Sequence, residues 1–77
     1  MDRPFGTLRF WTTPPVAGSD FTGLSLHRES RGQTAVVAEI VYWDATGHYF
    51  LETFGGDVPV EIVEQFIAEA KDLIRYK

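Results

Sequence analysis

The chain has 77 residues, 44% of them hydrophobic and 14% aromatic, enough for one small folded domain and too few for two. It has no cysteine, which excludes disulfides and thiolate metal sites as supports for a thin core and favours self-association as the alternative support. The formal net charge is −4 and the basic residues Arg3, Arg9, Arg28 and Arg31 lie apart, so the clustered cationic footprint of a nucleic-acid binder is missing.

The start Met1-Asp2-Arg3-Pro4 lacks the apolar run of a signal peptide, and no stretch reaches the ~20 apolar residues of a membrane span. The expectation is a cytoplasmic protein with no membrane or nucleic-acid partner and no cofactor.

Residues 5–11, FGTLRFW, have the aromatic and β-branched content of a first strand, opened by Pro4. Residues 12–20, TTPPVAGSD, read as a loop, with Pro14-Pro15 favouring polyproline geometry and Gly18-Ser19-Asp20 supplying turn chemistry. A second strand is expected over 21–29, ended by a tight turn at Arg31-Gly32. The third and fourth, 33–43 and 48–54, form a hairpin closed by Asp44-Ala45-Thr46-Gly47.

Gly55-Gly56 ends the sheet, and a helix is predicted over 58–76, with Pro59 in its first turn and Asp57 placed to cap. Val60, Ile62, Val63, Phe66, Ile67, Ala70, Leu73 and Ile74 recur at helical spacing as one apolar stripe. Acids lead and bases trail, with Lys71, Arg75 and Lys77 at the end, as the macrodipole favours. The predicted fold is therefore α+β: a four-stranded, mostly antiparallel sheet, β-β-β-β-α along the chain, with the helix on one face.

Alternation sorts the hairpin into two sides. With a four-residue loop, Trp43 pairs with His48, Val41 with Phe50, Glu39 with Glu52 and Val37 with Phe54. The other side pairs Tyr42 with Tyr49, Ile40 with Leu51 and Ala38 with Thr53. A two-residue loop at Arg31-Gly32 adds Leu24 and Leu26 to the first side, and Ser25 and His27 to the second. Neither side is polar, whereas one helix covers only one. The uncovered side calls for a partner: a second copy or another protein. That contact surface is centred on Ile40, Tyr42, Tyr49 and Leu51 if the helix takes the Trp43 side. It is centred on Trp43, Val41 and Phe50 if the helix takes the other.

One constellation has the makings of chemistry. Glu39 and Glu52 face one another near Trp43 and His48, and opposed like charges are unfavourable unless a cation or a proton neutralises them. The four residues are candidates for binding a cationic ligand beneath an aromatic ring, or for acid–base work; Arg9 or Arg28 pairing with the glutamates is the structural alternative. His27 and His48 fall on different strands without a recurrent metal-ligand spacing, so no metal is expected. Gly55-Gly56 precedes a helix but has no Lys or Ser/Thr where a phosphate loop needs one.

The segment from Val37 to Ile74, a hairpin followed by Gly-Asp and an amphipathic helix, resembles the first half of HicB-type antitoxins. It lacks that family's proline-rich strand end, and Pro59 stands where Thr or Ser opens the helix, so no family follows from it. The expected function is a non-catalytic protein-interaction module, acting as a homodimer or on another protein. The competing expectation is a small-molecule binder or small enzyme using Glu39, Trp43, His48 and Glu52.

Overall fold

In the computed structural model, which describes residues 1–74, antiparallel pairing joins six strands into one sheet with a single helix on one side. The elements are β1 (Asp2–Phe5), β2 (Leu8–Thr12), β3 (Val16–Ala17), β4 (Phe21–Ser30), β5 (Gln33–Trp43), β6 (His48–Thr53) and α1 (Val60–Leu73). The spatial order is β1-β2-β4-β5-β6, with β3 also pairing β4. The α+β class and the C-terminal helix agree with expectation, but the sheet has six strands rather than four.

The extra strands come from both sides of the first predicted one. Gly6, at a φ of +59°, turns the chain between Phe5 and Leu8, which face each other across a two-residue loop. Positive φ at the first loop position is what glycine allows without strain, so the predicted strand 5–11 becomes a hairpin. Pro4 then sits on an edge strand, where its missing N–H is tolerated. The predicted loop 12–20 is also partly sheet: after Pro14-Pro15 the chain resumes pairing on β4, Val16 opposite Gly23 and Ala17 opposite Thr22.

Both later turns form where the sequence puts them. Ser30 faces Gln33 around Arg31-Gly32, at φ values of +53° and +78°. Trp43 faces His48, and the β5–β6 register runs through Tyr42–Tyr49, Val41–Phe50, Ile40–Leu51 and Glu39–Glu52 to Ala38–Thr53. The Phe54 N–H then donates to the Val37 carbonyl at 3.0 Å.

Between these turns β5 carries one residue too many. His27 faces Val36, yet Leu26 faces Ala38, so Val37 is the inserted residue of a β-bulge. The bulge reverses the side assignment of everything beyond it on β4. Leu24 and Leu26 join Ile40 and Ala38, while Ser25 and His27 lie on the side of Glu39, the opposite of simple alternation. It also turns both Val37 and Ala38 inward, at 2% and 1% exposure, and leaves Val36 outside at 42%.

The helix covers the Tyr42 side. Ile62, Phe66 and Ala70, spaced by four, are buried against Phe10, Leu24, Leu26, Ala38, Ile40 and Tyr42. Each fully buried side chain of the size of Phe66 or Leu24 contributes roughly 1.5–3 kcal/mol. The apolar stripe is narrower than predicted, since Val60 and Leu73 are 72% and 49% exposed.

The helix start also differs. Pro59 is the residue before the first turn and no side chain caps it, Asp57 included. Its carbonyl instead accepts the N–H groups of Ile62 and Val63, both at 3.0 Å. Ile74 is extended and closes the last turn through its N–H to the Ala70 carbonyl. The final two positions of the predicted helix, 75–76, and the basic Arg75 and Lys77 lie outside the described residues. No helix among the described residues is long and apolar enough to cross a membrane.

Candidate interaction face

The side of the sheet away from α1 is built from alternate residues of five strands. On β5 and β6 it carries the pairs Trp43–His48, Val41–Phe50 and Glu39–Glu52. On β4 it carries Phe21, Gly23, Ser25, His27 and Glu29, and on β2 Arg9 and Trp11. Asp2 of β1 completes the row opposite Trp11.

Aromatic contacts hold this surface in place. Trp11 stacks on His27 with ring centroids 5.6 Å apart and planes 11° from parallel. Phe21 lies against Trp43 at 5.5 Å and a tilt of 48°. Trp43 and Phe50 nevertheless remain 40% and 52% exposed. Rings fixed by neighbours and open to solvent lose little conformational freedom on docking, which is the property of an interface anchor.

The polar rim is at the β1 end. Arg9 Nε donates to Asp2 Oδ1 at 2.8 Å, with a second bond from its Nη2 to Oδ2. This guanidinium hydrogen bond holds the Asp2 carboxyl below its usual range, and Asp2 raises Arg9 in turn. Arg9 is thereby engaged away from Glu39 and Glu52, and neither it nor Arg28 forms an ion pair with them among the described residues.

The candidate ligand residues divide into two groups. Glu39 and Glu52 are directly opposed on this face, as are Trp43 and His48, but the Val41–Phe50 pair stands between them. The two pairs lie four residue steps apart along the strand, about 13 Å at the usual rise. Glu39 instead borders a recess of about 260 Å³ with Thr13, Pro14, Val16, Phe21, Gly23 and Ser25. Ser25 Oγ lies 3.5 Å from Glu39 Oε2 there. Sequence reasoning missed this recess because residues 12–20 read as a loop, whereas Val16 and Ala17 pair with β4. Val16 of β3 pairs with Gly23, where an added side chain would meet only ordinary contacts, so the glycine carried no signal of the approach.

His27 and His48 remain apart on β4 and β6, and Thr13 Oγ1 lies 3.4 Å from His27 Nε2. Among the described residues no group of three or more His, Asp and Glu side chains is arranged to hold a metal ion.

The other candidate contact residues lie on the helix side. Ile40 and Tyr42 are 3% and 6% exposed beneath α1 and belong to the chain's own core. Tyr49 is partly buried, its ring 4.9 Å from that of Tyr42 and its hydroxyl donating to the Ile74 carbonyl. Leu51 is exposed at the sheet edge and lines a groove of about 320 Å³ with Ile40, Tyr49, Ile67, Ala70 and Lys71. The uncovered surface is therefore the one centred on Trp43, Val41 and Phe50. No family model, curated protein or solved structure matches the chain.

Proposed function

We propose that the chain is a non-catalytic protein-interaction module that works as a homodimer or on another protein, through the sheet face opposite α1. The observation that carries this reading is the exposure of Trp43 and Phe50 on a face where Trp11, Phe21 and Val41 are also aligned. The exposed rings supply anchoring area and the Asp2–Arg9 pair a polar rim, with the Ser25–Glu39–Glu52 row crossing the face between Trp11 and Trp43.

The test is the double variant Trp11→Ser/Trp43→Ser. It is expected to keep its circular dichroism spectrum and cooperative melting while losing the contact made through this face, read by cross-linking from a probe at Phe21. Loss of fold alone is controlled by Val60→Ser, an exposed change on α1 and away from this face. A contact through this face that survives in the folded double variant contradicts the proposal.

A second reading, a binder of small cations, is supported by the opposed Glu39 and Glu52 beside the Ser25 recess. It uses those carboxylates rather than Trp43 and His48. Its mark is loss of ligand on Glu39→Gln with assembly unchanged; the interaction module predicts that Glu39→Gln assembles as the wild type does.

A further inference from the structure

The two long edges of the sheet are treated differently. β1 carries Asp2, Arg3 and Pro4, a charged and proline-blunted edge of the kind that resists pairing with another sheet. β6, His48–Thr53, has neither proline nor lysine, and all its residues except Tyr49 are exposed. Phe50 and Leu51 are 52% and 45% exposed there, and Phe54 just beyond it 47%.

The backbone parity of that edge is fixed. The hydrogen bond from Phe54 N–H to the Val37 carbonyl makes those residues a hydrogen-bonded pair. Such pairs alternate along an antiparallel ladder, so Glu52, Phe50 and His48 direct their N–H and C=O groups at β5. Tyr49, Leu51 and Thr53 direct theirs outward, to an open edge. The side chains of Tyr49 and Leu51 lie on the helix side, bordering the groove against Ile67 and Ala70.

We infer that β6 pairs with β6 of a second copy of this chain, antiparallel, with Phe50 opposite Phe50 on the two-fold axis. Four symmetric registers of β6 keep outward groups facing outward groups, of which centring on Tyr49 overlaps only three strand residues and sets Leu51 against Gly47 of the turn. Centring on Glu52 opposes two carboxylates, which is unfavourable. Centring on Leu51 sets His48 against Phe54 and Phe50 against Glu52. Centring on Phe50 sets His48 of each copy against Glu52 of the other, an imidazole donor facing a carboxylate at both ends of the seam. It also pairs Tyr49 with Leu51 twice through backbone hydrogen bonds, and brings Leu51 of each copy beside Tyr49 at the mouth of the other's groove. The two Phe50 rings then meet as a non-hydrogen-bonded pair, the closer of the two kinds.

This pairing uses the sheet edge and leaves the face carrying Trp11 and Trp43 uncovered, so it stands or falls independently of the proposed function. A two-fold axis normal to the sheet would join the open faces of two copies into one surface.

The experiment combines the solution mass of the full chain over a concentration series with amide exchange at Tyr49 and Leu51. The expected result is a dimer in which those amides exchange slowly and become fast on dilution. His48→Glu, which sets carboxylates opposite each other at both ends, raises the dimer Kd by about tenfold or more. The double variant His48→Glu/Glu52→Lys restores it, which a merely misfolded single variant would not allow. A monomer at every concentration up to about 1 mM overturns the inference. So does a dimer whose Tyr49 and Leu51 amides exchange freely or whose Kd ignores His48→Glu.

Discussion

Glu39 and Glu52 stand directly opposite one another on the open face of the sheet, on neighbouring strands and without an ion-pair partner among the described residues. Opposed like charges destabilise a sheet by about 0.2–1 kcal/mol. Glu52→Gln is therefore expected to raise unfolding free energy by about that amount, and Glu52→Lys by at least as much. Urea denaturation at low salt measures it. A loss of stability in Glu52→Gln would mean the carboxylate pair has a favourable role.

The bulge at Val37 makes two adjacent valines opposite in behaviour. Val37 is 2% exposed and Val36 42%. Val37→Thr buries a hydroxyl and is expected to cost about 1–3 kcal/mol, whereas Val36→Thr stays within about 0.5 kcal/mol of the wild type. Equal effects at the two positions in chemical denaturation would contradict the bulge.

Arg31 holds a φ of +53° in the turn between β4 and β5. A side chain with a β-carbon pays a steric penalty there that Asn tolerates better, and Asn-Gly is the preferred pair for this hairpin loop. Arg31→Asn is expected to stabilise the fold by about 0.5–1 kcal/mol, read as a shift in the urea midpoint at unchanged slope.

The Asp2–Arg9 pair predicts a pH dependence of definite sign. Its hydrogen bond to Arg9 lowers the Asp2 carboxyl from the ordinary value of 3.8. Such a group contributes stability above its unfolded value, and the contribution is lost as pH falls through the lower folded value. The stability difference between wild type and Asp2→Asn is thus level from neutral pH down to about 4 and vanishes below it. Because the pair is exposed, 1 M salt should shrink that difference at neutral pH. Thermal melts across the pH series check both.

The turns were legible because their residue types are chemically marked. Gly32 and Gly47 adopt positive φ at the positions where turn chemistry asks for glycine, and the β5–β6 register follows from the loop length. The bulge was not legible. Ala35, Val36, Val37 and Ala38 form an unbroken apolar run, so an inserted residue leaves no trace in the alternation and no glycine marks it. The helix was readable from its period, but not the exposure of Val60 and Leu73, which depends on where the sheet beneath it ends.

The β1–β2 hairpin was hidden because Pro4 reads as a boundary, although an edge position accommodates it. The same limit applies to the candidate site. The opposed glutamates could be read from the register, while the uncovered face could not, because the helix packs on one of two similarly apolar sides. The recess beside Glu39 depends on Val16 returning to pair with Gly23 after two prolines. That is a tertiary fact with little local signature.

The central claim, that the face opposite α1 is a protein contact surface, is tested most directly by site-specific photo-cross-linking of the full chain in the cells that make it. A benzoylphenylalanine at Trp43, on the open face, is compared with one at Glu64, an exposed position on the helix. The account predicts a discrete cross-linked protein product, a second copy or one other chain, from Trp43 and none from Glu64. No product from Trp43, or the same products from both positions, would contradict it.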